Sequence, residues 1–286
     1  MTEILTPAAA LAAMPRVSPG WLALREAADA AARSDDLVAA VCRRIAGRPR
    51  LVIHDLGCGT GAVGRWLAPR LPSPQHWVMY DRDSALLDCI PAAAAGASVT
   101  VQTRQRDVTE LTVDDLVGAD LVTASGLFDL LTAEEVDQIV AACAGVGCPT
   151  LVTISVVGRV ALDPPELLDA PIGAAFDAHQ RRVVSGRRLL GPDAVDAIRA
   201  AFARHGVATL VWPSPWRLGA DDAELLTEWF GGWLDAACEQ APTLADQAAT
   251  YARRRMRQIA EGRLTATVHH VDLLAVPAPS ERFGNG

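Results

Sequence analysis

Residues 51–64, LVIHDLGCGTGAVG, constrain this chain more than any other stretch: an aliphatic run ends in Asp55 and passes directly into glycines 57, 59 and 61. Such a run reads as a buried parallel strand handing over to the first turn of a helix. Glycine allows the tight turn and a close backbone approach to a ligand, and the free N–H groups of the following helix favour negative charge. Asp55 changes the expected ligand. A carboxylate just inside the turn repels a diphosphate but can face an ammonium, or the amine-bearing end of an amino-acid group.

On glycines alone a second reading stays open. Gly59, Gly61 and Gly64 also satisfy G-x-G-x-x-G, and Asp81, 22 residues after Gly59, ends the apolar run HWVMYD where a ribose-binding acid belongs in a dinucleotide site. The D-x-G-x-G-x-G reading uses Asp55 as well, and QRDV offers a third acid, Asp107. On these residues the sequence resembles class I S-adenosylmethionine-dependent methyltransferases, whose first motif looks like Asp55-Leu-Gly57-Cys-Gly59-Thr-Gly61. The resemblance implies that the glycine turn lies against the methionine part of S-adenosylmethionine. It also implies that Asp81, with Arg82 beside it, holds the ribose hydroxyls, and that Asp107, with Val108 beside it, receives the adenine amine. It spans roughly residues 50–160 and fades beyond them.

The alternation of apolar runs and helical stretches from residue 50 onward is that of a doubly wound α/β domain. With the resemblance it predicts a seven-stranded, mostly parallel, Rossmann-like sheet over 50–276. Asp55, Asp81, Asp107 and Ser125 all fall near strand ends, where ligands of such sheets sit. Residues 1–49 read as a helical cap, and 277–286 as a polar tail. Two stretches interrupt the alternation, 159–190 and 213–262, and both read as acceptor-facing insertions.

Within the cap, Arg25, Asp29 and Arg33 recur every four residues and share a helix face. If that face lies over the cofactor mouth, Arg33 meets the cofactor carboxylate and Arg25 the cofactor or an anionic acceptor. In the first insertion His179 has the pKa range of a general base and lies near Asp177 and Arg181. Trp216 follows a proline-rich turn and is expected to wall the acceptor site, with Asp177 as a further contact.

Composition narrows the acceptor. A chain of 286 residues, half of them hydrophobic, buries a substantial core, and a formal charge of −8 argues against a surface that tracks phosphates. A small-molecule acceptor is expected, with no nucleic acid and no membrane; oligomeric state is undetermined. The first residues lack the basic leader and long apolar core of a signal peptide, so a cytoplasmic protein is expected. Six scattered cysteines and six histidines form no metal spacing. The competing readings are an NAD-dependent oxidoreductase, which finds no Tyr-x-x-x-Lys pair here, and a protein that binds S-adenosylmethionine without methylating.

Overall fold

The computed structural model describes residues 17–91 and 98–278. Its cap is two helices, α1 (Pro19–Ala32) and α2 (Asp35–Ile45). The helical periodicity of this region runs on without a break in the sequence, but the structure divides it at Arg33–Ser34. Ser34 Oγ accepts the Leu37 N–H and so caps a new helix, while its own N–H donates to Asp272 Oδ2 at 2.8 Å. Asp35 and Asp36 in the first turn of α2, and Arg43 and Arg44 in its last, complement the helix dipole.

The sheet domain follows as β1 (Leu51–Leu56), α3 (Ala62–Leu67), β2 (Gln75–Asp81), α4 (Ser84–Leu87), β3 (Val99–Gln105), α5 (Val113–Leu116), β4 (Leu121–Ser125), α6 (Ala133–Val146) and β5 (Thr150–Asp163). The first insertion holds α7 (Asp169–Gln180) and a small hairpin of β6 (Val183–Val184) and β7 (Arg187–Arg188). After α8 (Ala194–Arg204) and β8 (Ala208–Pro213) come β9 (Trp216–Leu218), α9 (Ala223–Gln240), α10 (Ala245–Ala260) and β10 (Thr265–Val276).

Strand order is β3-β2-β1-β4-β5-β10-β8, parallel as far as β5, with β10 antiparallel to both its neighbours. This is the expected doubly wound, mostly parallel sheet; β9 adds an eighth strand by pairing with β10. The order reverses between β1 and β4, so the crevice of a doubly wound sheet lies at their C-terminal ends.

β5 and β10 outrun the sheet. Residues 159–163, expected to leave it as an insertion, instead continue β5 and pair with β10. The arm starts near Ile154, a buried β-branched residue with φ 54°, whose N–H donates to Asp272 Oδ1 at 2.9 Å. Positive φ is costly for isoleucine, and this buried hydrogen bond helps hold it.

The arm carries its own core, in which Leu162, Ile172, Trp216, Trp229, Phe230, Trp233 and Tyr251 bring both insertions into one body. Trp21, Leu24, Ala28 and Ala32 of α1 pack on the same body, so the cap bridges insertions and sheet. The basic run of α10 is split: Arg254 is exposed, whereas Arg255 is fully buried and donates to Asp169 at 2.5 and 2.7 Å. No helix among the described residues is long and apolar enough to cross a membrane.

Candidate active site

At the switch point the three glycines take positive φ, 63° at Gly57, 55° at Gly59 and 82° at Gly61, which L side chains rarely adopt. Close approach adds a second constraint. A Cβ at Gly57 would lie 2.9 Å from Leu127 Cδ1, and one at Gly59 would lie 3.0 Å from Leu22 Cδ1. The loop after β4 and the cap helix α1 therefore both rest on the turn. Asp81 fixes it from the other side, since its Oδ2 accepts the Gly59 N–H and its Oδ1 the Asp83 N–H, each at 2.9 Å.

Asp55 lies behind the turn, fully buried, paired in register with Thr123 on β4. Thr123 Oγ1 donates to its Oδ1 at 2.7 Å, while Oδ2 has no partner. Burial pushes its carboxyl up to about 7, against the Thr123 bond and the nearby Arg33 charge.

Arg33 closes the same crevice. It is buried, with Nη2 donating to Ser125 Oγ at 3.2 Å and Nε and Nη1 left without a hydrogen bond. Its guanidinium lies 5.2 Å from the Trp66 ring and 3.9 Å from Asp29. Burial lowers its pKa; the carboxylates of Asp29, Asp272 and Asp55 oppose that. Asp272, a single acid in the apolar run of β10, is the signal in the sequence that could have pointed to this buried charge pattern.

Arg25 lies one turn before Asp29 and donates to it from Nε at 3.0 Å and Nη2 at 3.2 Å. The structure thus brings Arg25, Arg33, Ser125 and the glycine turn together under α1. Asp107 lies two residues beyond β3 and accepts from Thr109 N at 2.9 Å and Thr109 Oγ1 at 2.8 Å, with Val108 buried beside it. Arg82 follows Asp81, and its carbonyl accepts from Gln105 Nε2 at 3.2 Å.

The three residues expected at the acceptor site, His179, Asp177 and Trp216, make other contacts in the structure. His179 faces α9, where its Nε2 meets Glu239 at 3.2 Å and its Nδ1 meets Arg182. Two residues apart on a helix means different faces, so Asp177 turns instead to β5 beside Gly158. Burial pushes Asp177 up to about 6. Trp216 is core, not an open wall: the strand alternation of β9 buries it with Leu218 and leaves Arg217 outside. Its indole N–H donates to Asp29.

The loop following β4, SGLFDLL, contains an acid that the motif reading passed over. Asp129 stands two residues beyond Leu127, and burial raises its carboxyl above the ordinary range while Arg25 opposes the shift. Cys58, inside the glycine turn, is the reverse case. Burial and the nearby Asp55 and Asp81 push its thiol far up, which keeps it a packed, protonated side chain rather than a nucleophile.

Residues 53–149 match the family described as a methyltransferase domain. No curated protein sequence matches the chain. Among solved structures, the cyclopropane synthase MmaA2 from Mycobacterium tuberculosis is similar with a TM-score of 0.50 and 13% identity, over 91% of this chain and 94% of that one. A loganic acid methyltransferase with S-adenosylhomocysteine gives a TM-score of 0.48 and 12% identity over 90% and 95%. At such identity the first likeness speaks to the fold alone. The region matched to the methyltransferase domain, about a third of the chain, contains the glycine turn and strands β1 to β4 that hold it.

Proposed function

We propose that this chain uses S-adenosylmethionine to methylate an oxygen or nitrogen of a small molecule. The observation that carries the reading is a pair of buried, half-satisfied groups of opposite charge at the glycine turn: Asp55, with Oδ2 unpaired, and Arg33, with Nε and Nη1 unpaired. A buried polar atom left without a partner costs roughly 1–3 kcal/mol, more if charged. A ligand bearing an amino-acid end suits both, its ammonium toward Asp55 and its carboxylate toward Arg33. A diphosphate would meet the Asp55 carboxylate instead.

In this reading Gly57, Gly59 and Gly61 shape the turn, and Ser125 orients Arg33. Asp81 spends one acceptor site of each oxygen on a backbone N–H and keeps the others for ribose hydroxyls, with Arg82 alongside. Asp107 uses Oδ1 for Thr109, leaving Oδ2 to receive the adenine amine next to Val108. When bound, the cofactor supplies an electrophilic methyl group on a cationic sulfur. The chain's part is to hold the acceptor in line and exclude water, which positioning alone rewards strongly.

In this proposal 50–276 is the catalytic domain and 17–49 its cap; residues 1–16 of the expected cap and 279–286 of the expected tail lie outside the described residues. The arm and helices from 159–190 and 213–262 form the acceptor side, with Arg25 and Asp177 facing it. Isothermal calorimetry tests the donor: S-adenosylmethionine or its demethylated product binds, NAD does not, and Arg33→Met weakens binding at least tenfold. Binding of NAD with neither sulfur compound bound would overturn the reading in favour of an oxidoreductase.

A further inference from the structure

Resting on that reading, we infer that Asp129 is the base that takes the acceptor's proton, in the place the sequence pattern gives to His179. Three placements carry it. Asp129 belongs to the loop that leaves β4 at Ser125, and that loop touches the glycine turn through Leu127, which sits where a Gly57 side chain would be. The loop is held at both ends: Gly126 N–H donates to Thr153 O at 3.1 Å, and Leu190 N–H donates to Leu131 O at 2.9 Å. Across the crevice stands α1, whose Arg25 guanidinium comes within 3.6 Å of the Cβ position of Gly126.

The Arg25 charge favours the ionised Asp129 carboxyl, and Arg25 is itself paired to Asp29. Among the described residues no side chain is hydrogen-bonded to the Asp129 carboxylate, whereas His179 is engaged by Glu239 and Arg182. Asp129 is half-buried, so it is desolvated and still reachable. Desolvation makes a carboxylate a better proton acceptor.

In the step assigned to it, a lone pair on the acceptor oxygen or nitrogen forms the new bond to the methyl carbon. The electrons of the broken C–S bond return to sulfur. The proton of the acceptor O–H or N–H passes to an Asp129 oxygen and then to solvent, so no further reactant is required.

The test uses the full chain, tritiated-methyl S-adenosylmethionine and a panel of amines, phenols and aliphatic alcohols, with S-adenosylhomocysteine affinity measured in parallel. The expected result is that Asp129→Asn lowers kcat at least 100-fold, a base's usual share, and leaves S-adenosylhomocysteine affinity within threefold. Asp129→Glu restores part of the rate, and the acidic limb of the kcat profile disappears in Asp129→Asn. Wild-type kcat and pH profile in Asp129→Asn, or in Asp129→Ala should the asparagine variant fold poorly, overturns the assignment alone. Donor binding by the wild type with no transfer to any panel member overturns the methyltransferase reading together with it.

Discussion

The Trp216 indole N–H donates to Asp29 Oδ1 at 2.9 Å, and the same carboxylate holds the Arg25 guanidinium at 3.0 Å. One buried acid thereby ties the second insertion to the cap helix and presents Arg25 toward the crevice. The Arg25 guanidinium also lies 4.9 Å from the Trp216 ring centroid, so the two contacts reinforce one geometry. Trp216 is therefore a buried latch between the second insertion and the cap helix.

Removing the indole donor isolates that latch. Trp216→Phe keeps an aromatic ring against Trp21 and His270 but loses the bond to Asp29, and should cost about 1–3 kcal/mol in urea unfolding. Asp29→Ala should cost more and weaken donor binding, because it leaves the buried Arg33 and the half-buried Arg25 without their nearest carboxylate. Equal stabilities for wild type and both variants would show that the cap is held by packing alone.

Donor binding should be linked to a proton. Asp55 sits at about 7 in the free protein because burial disfavours its charge, and a cationic ligand at the turn favours the carboxylate. Binding therefore expels a proton below pH 7, and affinity for S-adenosylmethionine climbs as pH rises to about 7, then levels. Calorimetry at pH 6.5 in buffers of different ionisation enthalpy checks this. Asp55→Asn should abolish the buffer dependence; an unchanged dependence would move the proton to another group.

Stability should fall on the acid side of neutrality through two buried histidines. Burial pulls His54 from 6.5 to about 4 and His270 from 6.5 to about 3. Both are neutral in either state above 6.5. As pH falls below that, only the unfolded chain takes up the protons, so each histidine costs about 2 kcal/mol of stability by pH 5. Asp55 runs the other way: raised from 3.8 to about 7, it returns about 2 kcal/mol over the same interval. The check is the difference between two proteins: in urea unfolding, Asp55→Asn should lose about 2 kcal/mol more stability than the wild type between pH 7.5 and pH 5. A shallower fall in that variant contradicts the assignment.

The strands and the glycine turn were legible because their signals are local: an aliphatic run, an acid, and glycines at positions that need positive φ. Asp55 and Asp81 could be placed at strand ends for the same reason. What could not be read depends on partners distant in sequence. The break between α1 and α2 rests on Asp272, 238 residues from Ser34. His179 looked paired with Asp177 only because they are neighbours in the chain; the helix sends one to Glu239 and the other to Gly158. Trp216 stood after a proline-rich turn, where exposure was a fair expectation, but α1 packs over it.

The arginine run of α10 tests the same point energetically, since Arg254 and Arg255 differ by one position and in little else that the sequence shows. Arg255 is fully buried. It donates to Pro164 O at 2.7 Å, to Gln258 Oε1 at 2.9 Å and to Asp169, whose Oδ1 also accepts the Tyr251 hydroxyl at 2.6 Å. Arg254 is half exposed and meets Glu166 at 2.6 Å. Breaking a buried pair by removing one partner costs about 3–5 kcal/mol, because the other charge is stranded, while an exposed pair contributes about 0–1 kcal/mol. Urea unfolding should therefore show a loss of about 3–5 kcal/mol for Arg255→Met and under about 1 kcal/mol for Arg254→Met. The Arg255 variant should recover part of that loss when Asp169 is replaced by Asn, which removes the stranded carboxylate and keeps an acceptor for Tyr251. No recovery in the double variant would mean that Arg255 stabilises α10 through the packing of its stem and not through the ion pair.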